Sequence, residues 1–173
     1  MKRLFRFIFC IVTALSAAAC TDKMDPYEGG DGVRVNINGH ACVMIGEPGK
    51  TAATYDAAAR RFSTSVNLER RSDGARYTLQ LEVTDDSPLL AGQKYFAGTG
   101  GCKAVLSYVY NDVNENDIVL TGWIQMRRIS TESKTVEASF DLEGSSPGGT
   151  TYSLRHGFLR LYTNINGAYD YEQ

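Results

Sequence analysis

The chain is 173 residues long, 43% hydrophobic and 22% charged, with 18 basic against 20 acidic residues and a net charge of −2. That length fits one domain able to bury its own core. The charge excludes a nucleic-acid binder, because no basic run exceeds two residues (Arg60-Arg61, Arg70-Arg71, Arg127-Arg128) where phosphate contact needs several cations on one face.

The first element, residues 1–19, has a basic start (Lys2, Arg3, Arg6), an apolar run from Phe7 to Leu15 and small residues up to Ala19. This is the pattern of an export signal. Its apolar run is too short to cross a hydrocarbon core roughly 30 Å thick, and no later stretch reaches about 18 uninterrupted apolar residues. Ending at Cys20, it resembles a bacterial lipoprotein signal, although Ala17 stands where leucine is usual. The resemblance implies cleavage before Cys20 and acylation of that residue, anchoring the protein to the membrane. The alternative is that Ala17-Ala18-Ala19 is an ordinary cleavage site releasing a soluble protein. Cleavage would leave 15 basic against 20 acidic residues, a net charge of −5.

Residues 20–32 follow as the candidate lipidated cysteine and a polar tether, TDKMDPYEGGDG, with little to bury. Thr21 after Cys20 favours the outer membrane. Asp22, Lys23 and Asp25 weakly resemble the charged export signal of surface lipoproteins in the Bacteroidota. Whether the protein faces the periplasm or the cell surface is open.

Residues 33–173 read as a single β domain, because apolar residues recur at every second position. Phe62, Thr64, Val66 and Leu68 alternate with polar residues, and after Ser72-Asp73-Gly74 the pattern resumes at Tyr77, Leu79, Leu81 and Val83. Val136, Ala138, Phe140 and Leu142 alternate likewise. Further strands are expected over 33–38, 41–46, 103–110, 118–128 and 152–163, with turns at Asn38-Gly39, 111–117, 130–134 and 144–149. Only 51–60, TAATYDAAAR, leans towards helix, through its alanines. In the last long strand the apolar parity changes at Gly157, which predicts a bulge there. The fold expected is all-β, an antiparallel β-sandwich or closed barrel of about 8 to 10 strands. Phe62, Leu79, Leu81, Phe140 and Leu142 are expected to share its core.

Three of those segments, GWIQMRRIS (122–130), TVEASFDLEG (135–144) and RHGFLRLY (155–162), together with the Ile37-Asn38-Gly39 turn, resemble the strands of uncharacterised Bacteroidota lipoproteins. The resemblance implies an exported all-β domain of unknown function and brings no catalytic residues with it.

With Cys20 lipidated, Cys42 and Cys102 are left as a pair in an oxidising compartment. Either they form a disulfide, closing a long loop, or they are separate buried thiols. Only His40 and His156 are available besides them, at no metal-ligand spacing, so neither a metal nor a cofactor is expected. The segment 46–51, GEPGKT, has two residues between its glycines where a phosphate loop has four, and it reads as a turn. Asn111 to Asp117 offers many oxygens, but Asp117 stands where a calcium loop needs glycine and Trp123 where it needs glutamate. Asp85 and Asp86 read as the polar end of a strand before Pro88.

No catalytic residues are assigned. Ten tyrosines, among them Tyr108, Tyr110, Tyr162, Tyr169 and Tyr171, could line a recognition face. The function expected is a lipid-anchored, non-enzymatic envelope lipoprotein binding a protein, glycan or apolar ligand, without nucleic acid. The alternative is a secreted hydrolase whose catalytic groups converge only in space.

Overall fold

The alternating runs fold as strands in the computed structural model, which describes residues 32–46 and 52–166. They are β1 (Gly32–Ile37), β2 (His40–Met44), β3 (Ala52–Asp56), β4 (Arg61–Arg70), β5 (Arg76–Thr84) and β6 (Lys94–Ala97). There follow β7 (Gly101–Tyr110), β8 (Val113–Val119), β9 (Thr121–Ser130), β10 (Thr135–Ser145), β11 (Thr151–Tyr162) and β12 (Asn164–Asn166).

Ten strands form one antiparallel path, β6-β9-β10-β11-β1-β2-β4-β5-β7-β8. β3 joins the edge of β4 beyond β2, and β12 pairs with β3 in parallel. The sheet curls until its flanks meet, because β8, at one end of the path, runs through the single residue Leu120 into β9, near the other. Leu120 donates its backbone N–H to the Ala104 carbonyl on β7 at 2.9 Å. On the other side Gly144 of β10 packs so near β8 that a Cβ there would stand 2.4 Å from the Val119 carbonyl oxygen. The fold is thus a curled, barrel-like antiparallel sheet.

Its inner face is one apolar cluster running from Val33 to Leu161. Phe62, Leu79, Leu81, Phe140 and Leu142 are all within it and no more than 2% exposed. Burying each such side chain stabilises the fold by about 1.5–3 kcal/mol relative to leaving it in water.

Two-residue turns and bulges set the registers. Asn38 and Gly39 take φ of 52° and 82°, the pair of positive angles that matches a tight turn to strand twist. In β11 two residues, Arg155 and His156, lie opposite Asp141 alone. The same extra residue shifts the pairing of β11 with β1. The predicted change of face is therefore real, but the positive φ belongs to His156 (54°), whose N–H donates to Asp141 Oδ1 at 2.7 Å. Gly157 has another reason to be glycine: a Cβ there would meet the Phe140 ring at 2.2 Å.

Several expected boundaries move. The helix expected over 51–60 does not form in its described part: residues 52–60 are β3 and a turn, with Ala53 and Tyr55 on the buried face and Asp56 Oδ1 accepting the Ala59 N–H. Alternating burial outweighs the helix preference of alanine. The connector expected over 111–117 shrinks to Asn111-Asp112, because β8 begins at Val113 and pairs with β7. The strand expected from 118 is divided at Leu120, and β6 was not expected at all.

Cys42 and Cys102 are free thiols, not a disulfide, and both are buried. The register gives the reason. Cys42 lies opposite Arg70 of β4, whereas Cys102 lies opposite Val83, itself opposite Phe62, eight residues earlier on β4. That is a rise of about 26 Å along the strand, against the roughly 7 Å between Cα atoms that a disulfide spans.

Candidate functional site

Four turns, 38–39, 71–75, 111–112 and 146–150, gather at one end of the barrel. Backbone bonds tie them together: Asn38 N–H to the Ser153 carbonyl (2.9 Å) and Arg71 N–H to the Ala41 carbonyl (3.2 Å). Asn38 adds its side chain, donating from Nδ2 to the Thr151 carbonyl at 3.0 Å and accepting the Ser153 N–H on Oδ1 at 2.7 Å.

Tyrosines fill the mouth between these turns. Tyr77 and Tyr108 are directly paired on β5 and β7, with ring centroids 5.0 Å apart, and Tyr152 of β11 stands 5.9 Å from Tyr108 across the barrel. Tyr77 and Tyr152 are buried, while Tyr108 and Tyr110 are half-buried and open to solvent. Tilted rings at these spacings are in the favourable range for aromatic pairs.

Each charged group against the tyrosines has hydrogen-bonding partners: a counter-ion for Arg70, neutral hydroxyls for Glu115. Arg70 donates from Nε and Nη2 to the two carboxylate oxygens of Asp73 at 2.7 and 2.6 Å, and its guanidinium lies 6.0 Å over the Tyr110 ring. Hydrogen bonding from Arg70 holds the Asp73 carboxyl below the usual carboxylate range and raises the pKa of Arg70 itself. On the other side Glu115 accepts hydroxyl bonds from Tyr152 (2.5 Å), Ser146 (3.0 Å) and Thr150 (3.3 Å). These hold its pKa down, the Tyr152 bond most of all. They also fasten β8 to the β10–β11 turn.

Burial pushes the Tyr77 phenol up to about 12 and the Cys42 thiol up to about 11. Tyr152 is raised as well, by burial first and then by Glu115. All three are protonated at neutral pH. A carboxylate held down by three donors is a poor proton acceptor, and around it the mouth presents rings and hydroxyls.

Of the expected recognition tyrosines, the fold brings together Tyr108 and Tyr110. Tyr162 is exposed at the far end of β11, and Tyr169 and Tyr171 lie outside the described residues, as do Cys20, the tether and most of 46–51. His40 stands exposed beside Asp73 at the mouth, and His156 is exposed in the bulge. Asp85 binds the Ser87 N–H and the Gln93 side chain in a turn. Among the described residues no group of three or more His, Cys, Asp or Glu is placed to hold a metal ion, and no helix is long and apolar enough to cross a membrane.

Sequence reasoning missed Tyr77, Tyr152, Arg70 with Asp73, and Glu115. The tyrosines were visible only as apolar-parity residues near strand ends, and Glu115 sat inside the segment weighed as a calcium loop. Comparison with family models, with curated proteins and with solved structures returned no match to this chain.

Proposed function

We propose that this is an exported envelope protein, anchored in the outer membrane through lipid on Cys20, whose β domain binds a partner without catalysing a reaction. The binding surface is the tyrosine-lined mouth. One observation carries the reading: β1 runs from Gly32, opposite Arg160, up to Ile37, opposite Leu154, so the chain enters away from the mouth and climbs towards it. A domain tethered through residues 20–32 therefore presents Tyr108 and Tyr110 away from the bilayer. Tyrosine supplies large rigid contact area with a polar tip, which suits recognition.

Mass spectrometry of the mature amino terminus and fractionation of Cys20→Ala test the anchor. Acylated Cys20 in the membrane fraction, with Cys20→Ala released, is the expected result. An unmodified residue 20, or identical fractionation of both proteins, overturns it. For the mouth, the Cys20→Ala domain is cross-linked to intact envelopes with and without Tyr108→Ala and Tyr110→Ala. The expected outcome is adducts lost in both variants at unchanged thermal stability. Adducts that persist in both place the binding surface elsewhere.

A further inference from the structure

We infer that the outer wall of β9, with β6 and the β9–β10 turn beside it, rests on an anionic membrane surface. The choice of occupant rests on the anchor proposed at Cys20.

No basic run in the sequence exceeds two residues, but the sheet gathers several cations on this wall. Arg127 and Arg128 stand where an extra residue shifts the pairing of β9 with β10, Lys94 begins the neighbouring β6, and Lys134 lies in the turn into β10. All four are exposed, and among the described residues none of them is in an ion pair. Arg127 bonds the neutral Gln125 side chain, and Lys94 lies 4.3 Å over the Trp123 ring. The carboxylates of the wall are fewer. Glu132 shares the turn with Lys134, Glu137 lies 3.6 Å from Arg160, and Asp141, opposite Trp123, accepts the His156 N–H. Asp85 and Asp86 belong to the β5 side, where the Asp85 N–H bonds the Arg60 carbonyl. With Glu137 matched by Arg160, four cations face two carboxylates on a chain that is acidic overall.

Apolar tips lie among these charges. Leu90 is 58% exposed in the loop whose Gly92 bonds β9 at the Met126 carbonyl, and Phe96, 59% exposed, is directly opposite Trp123. Tyr162, 45% exposed, lies opposite Thr135, next to Lys134. Cations interleaved with aromatic and aliphatic tips suit the interfacial layer of a bilayer, where phosphates meet the acyl boundary. The wall also lies where the chain enters. Arg128, Glu137, Arg160 and Gly32 share one register row across β9, β10, β11 and β1, so Gly32 is three strand spacings, about 14 Å, from Arg128. A flexible tether over 20–31 spans about 20 Å, which brings this wall to the headgroups and leaves the mouth, at the opposite end, clear of them.

The test uses the Cys20→Ala protein, sedimented with vesicles of mixed phosphatidylglycerol and phosphatidylcholine or of phosphatidylcholine alone. The expected result is binding to the anionic vesicles only, lost at high salt as screening requires. Arg127→Gln with Arg128→Gln should weaken it by about 25-fold, since each cation near such a surface contributes about fivefold. Lys103→Gln, exposed on the β5–β7 wall, should leave it unchanged. Trp123 is the one tryptophan of the chain, and its fluorescence should be quenched by brominated phosphatidylglycerol. Equal binding to both vesicle types, binding to neither, or anionic binding that leaves Trp123 unquenched or survives the double change overturns the proposal. Retention on duplex DNA without binding to vesicles also overturns it, making the wall a nucleic-acid surface. Vesicle binding that appears only after removal of residues 21–31, themselves acidic, overturns it too, by showing the tether to be the occupant. The protein tested carries no lipid, so failure here leaves the anchor standing, and an unmodified Cys20 leaves the vesicle result standing.

Discussion

Gly157 and Phe140 face each other across β11 and β10, the ring lying where a side chain on residue 157 would be. Phe140 is fully buried, so Phe140→Ala is expected to cost about 3–5 kcal/mol in urea titration. Gly157→Ala should cost about 1–3 kcal/mol by overpacking. Because the two changes share one space, Gly157→Ala should cost less in a Phe140→Leu background than alone. Equal costs in both backgrounds would mean that the glycine serves the bulge and not the ring. Thr64 offers the opposite case: its hydroxyl is buried with no hydrogen-bond partner. Thr64→Val should therefore raise stability by about 1 kcal/mol, and a comparable loss would reveal a partner for the hydroxyl.

At the scale of elements, the mouth is held by the Asn38 turn and by the Glu115 latch. Asn38→Gly keeps the backbone angle but removes two side-chain bonds to β11, so it should cost about 1–2 kcal/mol, and Asn38→Asp, which removes only the donor, should cost less. The latch is sensitive to acid. Glu115 and Asp73 both have folded pKa values below the ordinary carboxylate value. Their contribution is complete above the unfolded pKa and is lost as pH falls through the folded one. Urea midpoints followed from neutral pH through the carboxylate range should fall, and Glu115→Gln should flatten part of that fall. A parallel curve for Glu115→Gln would show that β8 is held by something else.

The same elements show what the sequence can and cannot convey. Strands β4, β5 and β10 were legible because one face is buried along their whole length and the other is wet, so each residue reports its side. β8, VNENDIV, was not, since its Asn and Glu residues disfavour strands and pairing with β7 decides the matter. β6 is only four residues long and carries too little pattern. The mouth was illegible for a different reason. Tyr77, Tyr108 and Tyr152 lie on three strands far apart in sequence, and only the curl of the whole sheet brings Tyr152 against Tyr108.

For the whole molecule, the thiols give the plainest check on the register. In the Cys20→Ala protein, Cys42 and Cys102 are buried, and burial raises both pKa values to about 11. A thiol reagent should label neither in the native state and both in denaturant, and reductant should leave the melting temperature unchanged. Absence of thiols in the denatured protein would establish a disulfide and overturn the strand pairing that separates them. The placement of β1 has a mechanical consequence as well. It is paired with β11 from Gly32 to Ile37 and with β2 from Arg34 to Ile37. A pull between the proposed ligand at the mouth and the proposed anchor before Gly32 would run along β1, at right angles to its ladder bonds. The load is then shared as shear by both ladders, where a terminal strand pulled sideways would unzip one bond at a time. Single-molecule extension from residue 32 against a handle at the mouth should therefore show one high rupture force and no sequence of small ones.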